Sequence, residues 1–142
     1  MIHQLLHQYW GFEKFRPLQE EVIQSVLDGK DTLALLPTGG GKSICFQIPA
    51  LASEGLAIVV TPLISLMKDQ VQNLNKRGIR AIAVYSGMTS HEIDIALDNA
   101  IYGDYKFLYL REPCFFHTRA CISLRLFFLL YECHLQFLYL YL

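Results

Sequence analysis

The segment Thr38-Gly39-Gly40-Gly41-Lys42-Ser43 holds the residue types in this sequence best suited to chemistry. Three successive glycines let the backbone curl until its N–H groups converge on an anion, and a helix opening directly behind them adds the positive end of its dipole. Lys42 supplies a charge for outer phosphates, and Ser43 a hydroxyl for a magnesium ion. Together they read as a cradle for a nucleoside triphosphate.

Such a loop needs an element on either side to hold it. Thr32 to Leu36 is a short apolar run that predicts a strand entering Pro37, and Ser43 to Ala50 fits a helix leaving the glycines. The strict phosphate-loop pattern asks for Gly where Leu36 stands, so its first position departs. The strand, turn and helix that the pattern requires are all predicted, which disfavours the plainer alternative of a solvated lysine on a glycine turn.

The alternation extends along the chain. Leu18, Val22, Ile23, Val26 and Leu27 recur at helical spacing after Pro17, with Gly29 as a stop, and predict a helix over 17–28. Leu56 to Val60 reads as a strand. Pro62 to Arg77 reads as a helix with an apolar stripe of Leu63, Leu66, Met67, Val71 and Leu74, with Thr61 as N-cap, Pro62 at the first helical position and Gly78 behind the end. Ala81 to Tyr85 is the next strand. Thr89 and Glu92 have capping-box spacing and open a helix to about Ile101 with Ile93, Ala96, Leu97 and Ala100 facing inward; Lys106 to Leu110 is the last strand. Strands alternating with helices predict an α/β fold, a parallel sheet with helices on both faces, whose ligands lie beyond the carboxyl ends of the strands. The glycine loop is placed there.

Ahead of that loop stands Gly11-Phe12-Glu13-Lys14-Phe15-Arg16-Pro17-Leu18-Gln19, and behind it Thr61-Pro62-Leu63-Ile64-Ser65-Leu66-Met67-Lys68-Asp69-Gln70. With these three motifs in order, residues 2 to 110 closely resemble the start of the RecQ-family DNA helicases, superfamily 2 motors. The resemblance implies a partial RecA-like three-layer domain and a 3'-5' helicase ancestry in DNA recombination and repair. It implies ATP and Mg2+ as cofactors, with Phe12 stacking on adenine and Arg16 and Gln19 holding the base. Thr38, Gly39, Gly40, Gly41, Lys42 and Ser43 match the phosphate loop, Ser43 reaching the metal ion through ATP. Thr61, Pro62, Ser65 and Lys68 fall in a motif that lines a single-stranded DNA track. Read without the resemblance, Gln19 is an ordinary solvated helix residue, Phe12 and Phe15 are core, and the residues after Thr61 are a well-capped amphipathic helix.

Beyond Leu110 the resemblance stops. The family continues with a Ser-Pro-Glu-Arg-like motif and later an Asp-Glu-Ala-His box, whereas here Arg111-Glu112-Pro113-Cys114 follows and no Asp occurs after Asp104. Hydrolysis needs a carboxylate to complete the magnesium shell and a cation to neutralise the transferring phosphoryl group. The expectation is a chain, inactive by itself, that keeps the cradle and lacks the hydrolytic carboxylates and the second motor lobe. Residues 111–142 hold 21 hydrophobic residues, three of the four cysteines and no Gly, Asp, Asn, Lys or Val. The division expected is an incomplete ATP-binding domain over 1–110 and a hydrophobic tail over 111–142, the latter read as a shifted frame or spurious C-terminus.

Overall balance excludes some classes. With 12 basic and 13 acidic side chains and a net charge of -1, the chain is no basic nucleic-acid glue and any nucleic-acid contact must be local; single-stranded DNA is expected as a weak partner. No secretory signal opens it and one cysteine, Cys45, lies before residue 111, so the cytoplasm is the expected location. In the tail, Cys114, His117, Cys121, Cys133 and His134 match no common zinc spacing, and no zinc is expected. Ile122 to Leu142 is long enough to span a membrane but is interrupted by Arg125, Glu132, His134 and Gln136, which favours an amphipathic helix or a disordered sticky tail over a span. The alternative to the nucleotide-binding reading is a noncatalytic, membrane-associated or self-associating product dominated by this tail. No specific protein partner is legible, and the half-covered sheet predicts poor solubility.

Overall fold

A computed structural model of the chain describes residues 1–37, 39–111 and, as backbone, 138–140. These fall into two compact units, Met1–Glu54 with the strand Leu138–Leu140, and residues 55–111.

The first unit is built on three helices. α1 (Ile2–Trp10) has apolar residues at Ile2, Leu5, Leu6 and Trp10, a helical spacing, and ends where Gly11 turns left-handed and its N–H returns to the His7 carbonyl. No capping residue marks the start of this helix in the sequence. α2 (Gln19–Leu27) starts two residues later than Pro17 suggests, because Leu18 takes the N-cap at φ 70. α3 (Lys42–Ala52) follows the glycines. Leu6, Ile23, Ile44 and Ile48 bury one another where the three helices meet, flanked by Phe15 and Leu27. β1 (Thr32–Ala34) enters the glycine loop and is three residues long, shorter than the apolar run.

The second unit alternates β2 (Ala57–Val60), α4 (Ile64–Lys76), β3 (Ala81–Val84), α5 (Ser90–Tyr102) and β4 (Phe107–Leu110). The sheet order is β2-β4-β3, with both pairings parallel and Ala57 and Ala81 each opposite Phe107. All four residues of β4 are buried, as a central strand requires. Its side chains alternate. Leu108 and Leu110 pack with Val84, Ala96, Leu97 and Ala100 under α5, while Tyr109 turns the other way and donates its hydroxyl to Gln70 Oε1 of α4 at 2.8 Å. Helices therefore lie on both faces of a parallel sheet, and the chain is α/β with a partial RecA-like architecture.

Local sequence explains the ends of these elements. Thr89 and Glu92 form the expected capping box, the Thr89 N–H donating to Glu92 Oε2 at 2.7 Å and the Glu92 N–H to Thr89 Oγ1 at 3.3 Å. Asn75 joins the end of α4 to the start of β3 through both sides of its amide, to the Ala81 carbonyl at 3.0 Å and from the Ala81 N–H at 2.9 Å. One expectation is corrected. Leu63, not Thr61, holds the N-cap of α4, and Pro62 lies outside the helix. The Thr61 N–H instead extends the sheet to the Leu110 carbonyl at 3.0 Å, which draws Thr61 inward.

In the tail, Leu138–Leu140 is a strand, β5, parallel to β1 with Thr32 opposite Leu138 and Ala34 opposite Leu140. For these three residues the structure has strand where the sequence suggests an amphipathic helix or a disordered tail. The cysteines and histidines considered as zinc ligands, and the rest of that span, lie outside the described residues. Among the described residues, no helix is long and apolar enough to cross a membrane, and no three His, Cys, Asp or Glu side chains group to hold a metal ion.

Candidate functional site

The glycine loop connects β1 to α3 within the first unit. Its turn closes when the Gly40 N–H donates to the Pro37 carbonyl at 2.9 Å, and a Cβ on Gly40 would stand 2.8 Å from that oxygen. Gly41 caps α3 at φ 73, where a side chain is strained, and a Cβ there would collide with the Gln19 amide nitrogen. Only glycine fits either place. Thr38 lies outside the described residues.

Lys42 and Ser43 are the first two residues of α3, both half-buried, with no acidic side chain in the first turn. The N–H groups and dipole of an eleven-residue helix thus start directly behind the glycines, the arrangement that favours an anion.

Two residues from the preceding motif reach the loop. Gln19 is 1% exposed, and both sides of its amide are engaged. Its Nε2 donates to the Gly41 carbonyl at 3.0 Å and the Gly40 carbonyl at 3.3 Å, while its Oε1 accepts the Arg16 N–H at 2.8 Å. The Arg16 guanidinium donates to the Gly39 carbonyl. Thus Arg16 and Gln19 join the 11–19 segment to the loop, and in this structure the Gln19 amide serves the loop backbone. Phe12 is half exposed between α1 and α2, its ring available for stacking, whereas Phe15 packs edge-on to His3 with centroids 4.9 Å apart.

Leu18 also shapes this site. It is the one described non-glycine residue at positive φ, a conformation costing an L residue roughly 1–2 kcal/mol, and it sits between Arg16 and Gln19. The left-handed step turns the chain so that α2 begins with Gln19 directed at the loop. Nothing in the local sequence signals it, because the position lacks the Gly or Asn that marks such turns.

The four candidate nucleic-acid residues lie in the second unit, after the carboxyl end of β2. Pro62, Ser65 and Lys68 are exposed, with the Lys68 ammonium 4.5 Å from the centroid of the Tyr85 ring. Thr61 is different. It is 5% exposed, and its Oγ1 has no hydrogen-bond partner among the described residues, so the hydroxyl is not displayed at a helix N-terminus.

With this geometry in view, the comparisons with known proteins are specific. The family model "DEAD/DEAH box helicase" matches residues 16–112. The chain is 47% identical over 110 residues to "Probable ATP-dependent DNA helicase RecS" of Bacillus subtilis (strain 168), covering 77% of this chain and 22% of that protein. It is 48% identical over 114 residues to "ATP-dependent DNA helicase RecQ" of the same organism, covering 78% and 19%. A viral relative, "Putative ATP-dependent RNA helicase R290" of Acanthamoeba polyphaga mimivirus, is 39% identical over 121 residues, covering 85% and 22%. The aligned part of the chain thus spans about a fifth of the length of these relatives. The match takes in the glycine loop, the Arg16 and Gln19 that buttress it and the parallel strands that follow in the sequence, and the chain belongs to the DEAD/DEAH box helicases, with RecQ-like relatives.

Proposed function

We propose that the chain is the ATP-binding and nucleic-acid-binding N-terminal part of a RecQ-like 3'-5' DNA helicase. The observation that carries this reading is the loop at the start of α3, with Gly39, Gly40 and Gly41 held by Arg16 and Gln19 and followed at once by Lys42 and Ser43. Lys42 would hold the outer phosphates, and the Ser43 hydroxyl would ligate the magnesium ion that travels with ATP. Thr38 stands directly before the glycines in sequence and is proposed as part of the same nucleotide site. Phe12 would stack on the base, and Arg16 and Gln19 fix the loop. The Mg2+ ion, when bound, neutralises phosphate charge that the single lysine leaves.

Single-stranded nucleic acid is read here as a weak ligand of Pro62, Ser65 and Lys68 in the second unit. Of these three residues only Lys68 carries a positive charge, so few phosphates are neutralised, affinity is small and its salt slope shallow. Thr61 supports that surface from inside. Turnover is a separate matter. Hydrolysis needs a carboxylate to complete the metal shell and a cation at the transferring phosphoryl group, and what is proposed for these 142 residues is ATP binding. The location proposed is the cytoplasm.

The test is equilibrium binding of a fluorescent ATP analogue with Mg2+. Saturable binding is expected, weakened at least roughly tenfold by Lys42→Ala, the loss of about 1.4 kcal/mol of charge-assisted hydrogen bonding. No saturable binding, or binding indifferent to that substitution, overturns the proposal.

A further inference from the structure

β1 ends in the phosphate loop, yet it is three residues long, and Leu33 on it is 62% exposed. A strand this short gains little from burial to offset the ordering of its backbone, and parallel strands are ordinarily flanked and covered. α2 holds one end of it through the 2.8 Å contact between Ser25 Oγ and Thr32 Oγ1. Its ladder partner is β5, in parallel register along its whole length. The sequence Gln136-Phe137-Leu138-Tyr139-Leu140-Tyr141-Leu142 suits that task, since it carries no charge, Pro or Gly and is rich in aromatic residues.

We propose that Leu138–Leu140 is a strand the chain donates to itself, closing the edge of β1 and so positioning the phosphate loop that β1 carries. The tail is then part of the nucleotide-binding unit and not an appendage to it. The pairing stands on the register alone, while the positioning role rests on the nucleotide-binding reading above. The rival occupant of the same edge is the same segment from a second copy, since an open strand edge accepts either.

Cross-linking in the full chain tests the pairing, with Cys114, Cys121 and Cys133 replaced by serine. Leu33→Cys with Tyr139→Cys joins register partners, whereas Thr32→Cys with Leu140→Cys is two residues out of register, roughly 8 Å between Cα atoms and beyond disulfide reach. Under mild oxidation the first pair is expected to give a disulfide-linked monomer at least about tenfold faster than the second. Equal rates, or a linked dimer, overturn the proposal.

Positioning is tested by Tyr139→Pro with Leu140→Pro in the otherwise native chain, which removes ladder donors. Amides of Leu33 to Leu35 should exchange about tenfold faster, with β4 still protected, and the ATP analogue should bind correspondingly more weakly. Unchanged exchange in β1 overturns the pairing whatever the nucleotide does, and faster exchange with unchanged affinity overturns the positioning role. Should β4 lose protection as well, the cross-linking rates decide. A native chain that binds no nucleotide defeats the functional reading and leaves the pairing to be decided by the cross-link.

Discussion

The Gln19 amide is fully buried and meets carbonyl oxygens with its nitrogen, so its chemistry is fixed by what it faces. Gln19→Glu keeps the shape but sets a carboxylate against the Gly40 and Gly41 carbonyls. The first unit should lose roughly 2–4 kcal/mol, measured by urea unfolding, with nucleotide affinity falling alongside. Thr61 presents the opposite case. Its hydroxyl is buried and unpartnered among the described residues, so Thr61→Val should stabilise by up to about 1 kcal/mol and leave single-stranded DNA binding unchanged. Thermal unfolding and fluorescence anisotropy check the two halves. The glycines, Lys42 and Ser43 were legible because a phosphate cradle is encoded in consecutive residues. The inward turn of Thr61 was not, because a Thr-Pro step before a helix is the ordinary signature of a cap and only the β2-β4 ladder overrules it.

Among the elements, α5 has the clearest sequence-to-energy link. The Glu92 carboxyl is held below its ordinary value of 4.5, chiefly by accepting the Thr89 N–H and then by accepting the Thr89 hydroxyl. A depressed folded value means that this contribution is present above pH 4.5 and is lost as pH falls through the folded value. Thr89→Ala should cost about 1 kcal/mol near neutrality, and Glu92→Gln should flatten the acid limb of a stability-pH curve, both followed by circular dichroism. α2 carries a cost at its start. Leu18→Gly relieves the left-handed strain at an entropic penalty, for a net gain of about 0.5–1 kcal/mol in denaturant unfolding. The core positions of α5 followed from helical spacing, with Ala96, Leu97 and Ala100 buried and Ile93 packed beside them. α1 was missed because it carries no capping residue and its apolar side chains are mixed with His and Gln.

Across the whole molecule, burial in the helical core pushes the Cys45 thiol up to about 11 from 9.0. The folded chain keeps the proton where the unfolded chain begins to lose it, so this contribution is intact below pH 9.0 and falls as pH rises through about 11. Cys45→Ala should remove that alkaline slope, compared by urea unfolding near pH 8 and pH 10.5, at some cost in packing at both. Solubility belongs to this scale too. Leu33, Leu35, Leu63 and Val60 are exposed apolar side chains, and replacing them with polar residues should raise the concentration at which the chain stays in solution, measured in the supernatant after ultracentrifugation.

The sequence by itself determined what neighbouring residues decide: the glycine loop, the period of α2, α4 and α5, the capping box and the alternation that makes the fold α/β and parallel. Each of these is a local property, written within one or two turns of chain. Tertiary structure decided what depends on residues far apart. That β4 runs between β2 and β3, that Gln19 meets Gly41 and that Leu138–Leu140 pairs with β1 all require contacts across tens of residues. An apolar run states that a segment will be buried, but the partner that buries it is chosen by packing and by backbone hydrogen bonds, which leave no local mark.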